Sequence, residues 1–252
     1  MKKKLYILFL LAITFVGTEG QNYQQVIDTA NAAYKNGDYT KAIKHYDSIV
    51  DQGYISAELF YNLGNAHFKK QQLAQAILFY EKALKHDPGN EDIQHNLSMA
   101  RQMTIDKIEK VPEMFYVQWW KNIYNLFSAD AWAKIVVGAF VVTLVLLAIF
   151  LLARSIPLRK FSFYTGLVAI LITVFSFVVA IKKHHDFTHD KSGIVFNPSV
   201  TVKGSPDEDS VDLFVIHEGT KVYIQDKLGD WYEIKIENGS VGWIKKKTVR
   251  II

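Results

Sequence analysis

The densest group of potential ligands in the chain is KKHHDFTHD (182–190), where His184, His185, Asp186, His189 and Asp190 fall within seven residues. Imidazole nitrogens and carboxylates are donors that zinc and related ions take. No second cluster completes a coordination set, and polar stretches beside membrane segments are routinely rich in such residues. The stretch therefore reads as a linker, and no metal site is expected. The chain has no cysteine, which excludes disulfides, thiolate nucleophiles, cysteine metal sites and a lipoprotein anchor. There is no HExxH pair, no glycine-rich phosphate loop and no recognisable Ser-His-Asp arrangement. We expect no catalytic residue, no cofactor and no enzymatic activity. The acidic run DEDS (207–210) reads as a solvated loop.

What remains is binding chemistry, and the elements that must carry it follow from composition. Half of the 252 residues are apolar, concentrated near the N-terminus and between residues 132 and 181. The formal charge of +4 comes with lysines that flank apolar segments, where membrane topology explains them and nucleic acid does not. No nucleic-acid partner is expected.

Lys2, Lys3 and Lys4 precede an apolar run, Leu5 to Val16, and then small and polar residues to Gly20. This is the three-part pattern of an export signal over residues 1–20. The run would span about 18 Å as a helix against about 30 Å of hydrocarbon, too short for a comfortable crossing. Cleavage after Gly20 is compatible with the small residues there. Cut or uncut, Gln21 onward is exported.

Residues 21–104 carry a repeat. AAYKNGDYTKAIKHYDSIV (32–50) aligns with AHFKKQQLAQAILFYEKAL (66–84) at an offset of 34 residues. Ala42 maps onto Ala76, Ile43 onto Ile77 and Tyr46 onto Tyr80. Gly64 and Ala76 are small, so two helices can cross closely, with Phe60, Leu63 and Tyr80 around the crossing. Pro88-Gly89 stops the second helix. The pattern resembles the tetratricopeptide repeat (TPR), an all-α repeat of helix pairs. The first copy departs from it, with Ile49 at a small position and Tyr54 where the proline belongs. Asn90 caps a last helix, to about Thr104, that covers the end of the stack. So few repeats need support from a partner or the membrane. The resemblance implies a peptide-binding groove presenting Tyr34, Lys35, Tyr61, Asn65, Phe68 and Lys69, the lysines favouring an acidic or C-terminal peptide.

Ile135 to Ala153 is 19 residues without a charge, and Phe161 to Ile181 is 21. Both suit membrane helices, assigned as 132–153 and 161–181. The loop between them, RSIPLRK (154–160), holds Arg154, Arg159 and Lys160 and no acid, which places it in the cytoplasm. Lys182 and Lys183 argue mildly the other way. The preceding segment (105–131) is amphipathic and aromatic. Trp119, Trp120 and Trp132 suit the water–lipid boundary, the alternative being packing on the repeat domain. Residues 182–192 are expected to be a linker.

From 193 to 252 short alternating strands appear. The residues Glu218-Gly219-Thr220, Val222, Trp231, Ile234, Gly239 and Gly242-Trp243-Ile244 resemble a bacterial SH3 domain, an all-β, five-stranded SH3-like barrel. Tyr232, Ile234 and Ile236 share the core face, so Trp231 points outward, either as a peptide platform or as a cover for a barrel end. A two-residue turn at Asn238-Gly239 would bury Trp243 opposite Ile234. A three-residue turn with Gly239 left-handed would pair it with Glu233, outside.

Taken together, the order of these parts and the segment WWKNIYNLFSADAWAK resemble the BatE-type members of the Bat (Bacteroides aerotolerance) family. The resemblance implies a multidomain inner-membrane protein with both soluble domains in the periplasm. Its implied partners are other Bat proteins, some with von Willebrand A domains, in an envelope complex linked to stress tolerance. The competing expectation is a cell-wall protein whose SH3 domain binds peptidoglycan peptides.

Overall fold

The computed structural model of the chain describes residues 19–108, 112, 114–189 and 191–252. The expected export signal lies outside them, apart from Glu19 and Gly20, with which the first helix opens. Five helices come first: α1 (Glu19–Lys35), α2 (Tyr39–Asp51), α3 (Ala57–Lys69), α4 (Leu73–His86) and α5 (Glu91–Gln102). Their starts are written locally. Asp38 accepts from Lys41 N, Ser56 from Leu59 N, and Asn90 from Asp92 N and Ile93 N. Each bond satisfies a first-turn donor that has no partner within its helix. Ala42, Tyr46, Ile49, Leu63 and Ala83 are buried in one core with α1 and α5. Gly64 must be small, because a Cβ there would stand 2.5 Å from ring carbons of Tyr80. The last helix ends at Gln102, two residues before the expected boundary.

A short aromatic helix, α6 (Phe115–Asn125), leads into two long apolar ones, α7 (Ala129–Leu152) and α8 (Ile156–His189). Both long helices have the length and composition to cross a membrane. They pack side by side, with Phe150 on Phe163 (5.7 Å between ring centroids) and Leu146 beside Gly166. The seam on α8 is built of small residues. Ser162, Ala169 and Ser176 are buried, with Gly166 and Thr173 half-buried between them and Ala180 half-buried beyond. This four–three spacing lets the backbones approach, which is how helices associate without a hydrophobic driving force. The outer faces leave Val137, Phe140, Leu144, Val168 and Phe177 exposed.

Three boundaries differ from expectation. The segment 105–131 is not all linker, since it holds α6 and the start of α7. The loop expected at 154–160 shrinks to 153–155, because Pro157 sits in the first turn of α8, where its missing N–H costs nothing. The linker expected at 182–192 is helical through His189. Its 34 residues make α8 about 51 Å long, some 20 Å more than the hydrocarbon layer. The turns beyond Ile181 form a post on which other parts rest.

The C-terminal part is a seven-stranded antiparallel sheet, not five-stranded. It comprises β1 (Ser192–Val195), β2 (Ser199–Lys203), β3 (Asp212–His217), β4 (Lys221–Leu228), β5 (Trp231–Lys235), β6 (Val241–Lys245) and β7 (Val249–Ile251), in the order β3-β2-β6-β5-β4-β1-β7. Ile216 near one edge and Val249 at the other share a core with Val195, Val202, Val222, Ile234 and Ile244, so the sheet is rolled. Ile236 N donates to Ser240 O (3.0 Å), and Gly239 has φ +93. This three-residue turn pairs Glu233 with Trp243 and Ile234 with Gly242. Trp243 therefore lies outside, on the same face as Trp231.

The rolled sheet docks on the repeats. Ile194 of β1 is buried in one cluster with Ala74, Ile77 and Leu78 of α4 and Leu97 and Ala100 of α5. A helix completing a third repeat would pack on this face, and the sheet takes its place.

Candidate functional site

The residues expected in the groove lie on α1 and α3. The Tyr46 hydroxyl donates to Asn31 Oδ1 at 2.6 Å, and 34 residues on the Tyr80 hydroxyl donates to Asn65 Oδ1 at 2.8 Å. Burial pushes both phenols up, Tyr46 to about 12, so both remain donors. Asn96 Nδ2 also donates to Asn65 Oδ1 (2.9 Å) and to the Tyr61 hydroxyl (3.0 Å). Asn65 and Tyr61 thus hold three helices together. Tyr34 is half-buried, edge-on to Tyr39 at 5.3 Å, and Phe68 packs against the core of α4 and α5. Lys35 and Lys69 are exposed.

Two polar clamps fasten the sheet to the repeats, and sequence reasoning missed both. Glu81 on α4, 4 % exposed, receives Lys221 of β4 at 2.7 Å and Arg101 of α5 on its other oxygen. Burial opposes its charge, but Lys221 and Arg101 outweigh it and hold the carboxyl below the usual range. Arg101 also reaches Glu237 at 3.7 Å. In the second clamp, Asp106 accepts from His217 N (2.7 Å) and the Thr220 hydroxyl (2.5 Å), while its other oxygen meets His217 Nδ1 at 2.7 Å. Burial again works against the charge, and the bonds from Thr220 and His217 pull the pKa down overall. Gly219 lies between the clamps with φ +86, where a Cβ would stand 2.7 Å from Thr104 Cγ2. One signal was legible: Glu81 falls on the turn of α4 that also carries Ile77 and Tyr80, where a solvated carboxylate is out of place.

The post of α8 meets α6 and the repeats. Lys183 donates to Tyr124 O (2.7 Å) and Asn125 Oδ1 (3.3 Å), and the Tyr124 hydroxyl donates to Asp186 Oδ2 (2.6 Å). Phe187 packs edge-on to His86 at 5.3 Å. A cavity of about 860 Å³ opens where these parts meet the sheet, lined by Lys85, Asn122, Lys183, Lys221 and Ile252 among others.

The three tryptophans expected at the boundary diverge. Trp119 is 66 % exposed, beside the exposed Phe115 and Tyr116. Trp120 is half-buried, 6.1 Å from Phe175 of α8. Trp132 is buried at 6 %, packed on Phe127 and Phe175 with its indole N–H donating to Tyr124 O (3.3 Å). It thus packs α6 and the turn after it against the two long helices.

Of the His/Asp stretch, His184 and His185 are exposed on α8, and Asp186 is taken by Tyr124. Asp190 lies outside the described residues. Among the described residues no three His, Asp or Glu groups gather closely enough to hold a metal ion. Trp231 is half-buried beneath Lys245, whose ammonium lies 5.2 Å from the ring centroid.

The tetratricopeptide repeat family matches residues 27–91. This span runs from within α1 through α2, α3 and α4 to the first residue of α5. No curated protein matches the chain.

Proposed function

We propose that the protein is a non-enzymatic, membrane-anchored scaffold that gathers partner proteins in the periplasm. It does so through its repeats and its SH3-like domain, in a Bat-type envelope complex linked to aerotolerance or oxidative stress. TPR repeats are protein-interaction modules, and two apolar helices long enough to cross a membrane follow them. The observation that carries the reading is the docking of sheet on repeats through Glu81 and Asp106. Two domains so joined, both reached from the same end of the hairpin, belong on one side of the membrane. The basic loop at the other end supports placing that side in the periplasm. The docked surfaces are α4, α5 and the segment after α5, which leaves Lys35 and Lys69 exposed to a partner.

A C-terminal fusion after Ile252 tests the topology: alkaline phosphatase is expected to be active there and GFP dark. Full-length protein extracted in mild detergent is expected to recover membrane proteins with von Willebrand A domains, and Lys35→Glu/Lys69→Glu to lose them. A second reading rests on the outward Trp231, as a platform for peptidoglycan peptides. Retention on purified cell wall that is lost in Trp231→Ala, with no recovery of such membrane proteins, would replace the scaffold with that reading.

A further inference from the structure

The acidic loop, expected to be simply solvated, reaches across to a basic cleft. Its base is closed by Gly204 N donating to Val211 O (2.9 Å) and by Ser205 N and Oγ, both 2.9 Å from Ser210 Oγ. Asp209 N donates to Asp207 Oδ1 (3.1 Å) and shapes the tip. From that tip Glu208 pairs with Lys245, whose ammonium also lies over Trp231. The cleft beneath is about 370 Å³ and is lined by Trp231, Lys203, Lys245, Lys247, Thr201 and Glu208 among others.

Three lysines face one glutamate there. Lys203 is already held by Asp212 (2.6 Å) and by Ser210 O (3.2 Å). Lys247 is exposed, and the Glu208 side chain is 67 % exposed. The carboxylate on Lys245 is therefore carried on an exposed loop tip and is easily exchanged, since an ion pair so open to water holds weakly. An aromatic face beside ammonium groups can seat an extended chain on the ring and carboxylates on the lysines.

We propose that the Trp231 cleft binds an acidic segment of a partner protein, whose carboxylate replaces Glu208 on Lys245. Glu208 is the internal competitor, and it shows the chemistry the site accepts: a carboxylate borne on an extended peptide loop. This deepens the scaffold reading by naming the ligand class of the sheet domain. The test does not depend on the repeat groove, so the two can fail separately.

The full chain in detergent micelles is titrated with acetyl-Glu-Ala-Glu-Ala-Glu-amide and with its all-glutamine counterpart, following the tryptophan fluorescence that is lost in Trp231→Phe. The acidic peptide is expected to bind and the glutamine peptide not. Glu208→Gln is expected to tighten binding roughly two- to fivefold, the factor corresponding to removal of one exposed ion pair. Lys245→Gln/Lys247→Gln is expected to abolish it, with the folded β-signal in circular dichroism unchanged. Lys35→Glu/Lys69→Glu is expected to leave it unaltered. Equal binding of the two peptides, no binding by wild type and Glu208→Gln alike, or no gain in Glu208→Gln would overturn the proposal. So would retention on purified cell wall without any affinity for the acidic peptide.

Discussion

The two repeats are the same device in different surroundings. Each closes with a buried tyrosine donating to an asparagine fifteen residues earlier. Around that shared centre they diverge, position by position at the 34-residue offset. The first repeat turns at Gly37 and caps α2 with Asp38. The second turns at Gln71, held at φ +60, and starts α4 at Gln72 without a side-chain cap bond. The first carries a half-buried Asp47 where the second carries the buried, doubly paired Glu81. The first repeat is thus stabilised by its own turns and caps. In the second, α4 starts without such a cap and is stabilised by what docks on it.

Exchanging the members of each pair tests that contrast. The largest effect is expected at the carboxylates. Glu81→Ala should destabilise by about 3 kcal/mol and release the sheet, because it deserts two cations at the junction. Asp47→Ala should cost no more than about 0.5 kcal/mol, since burial pushes Asp47 up and the nearby His67 favours its charge only in part. Interdomain cross-linking combined with denaturant melts distinguishes them, and equal losses would end the comparison.

Acid should act in the same direction as Glu81→Ala. Glu81 and Asp106 are both held below the usual carboxylate range. Their stabilisation is complete above the unfolded pKa of about 4 and is lost as pH falls through the folded values. Hydrogen exchange across α4 and β4 should therefore rise below about pH 4, before exchange in α2 does.

Gly64→Ala should cost about 1–3 kcal/mol by overpacking Tyr80. The equivalent first-repeat position, Ala30, already carries a methyl group and is fully buried, so Ala30→Gly should cost about 1 kcal/mol for glycine inside a helix together with the loss of that contact. Melting curves of the two variants measure how far the crossings differ. Asp38→Ala should cost about 1 kcal/mol by removing the α2 cap. A loss at Asp38 no larger than that in Gln72→Ala would contradict the view that α2 relies on its own cap. The smallest effect is expected for Gln71→Gly, a gain of up to about 1 kcal/mol from relieving left-handed backbone. Gly37→Gln should lose a similar amount.

Much of this was legible in advance because it is periodic or local. The 34-residue offset made Tyr46 the equivalent of Tyr80, and Asn90 announced α5. Alternation in 231–236 separated Ile234 from Trp231. The turn at Gly239 was undecided, since Asn-Gly serves two hairpin registers and only the pairing of Glu233 with Trp243 selects one. Among the groove residues, Lys35 and Lys69 are exposed as a ligand contact requires. Asn65 and Tyr61 are also engaged in bonds to Asn96, 31 and 35 residues away. Such pairings leave no mark in a local pattern.

By itself the sequence determined the element types, the repeat period and the two apolar helices, because helix and strand periodicity and hydrocarbon length are properties of neighbouring residues. Only the tertiary structure decided that the sheet completes the repeat stack, that Glu81 and Asp106 fasten it, and that Glu208 occupies the cleft of Trp231. A carboxylate on a helix or a loop reads as solvated until something distant covers it. What covers it here arrives from 140 residues away for Glu81 and 111 for Asp106, a separation over which only the folded chain can bring a carboxylate and its donors together.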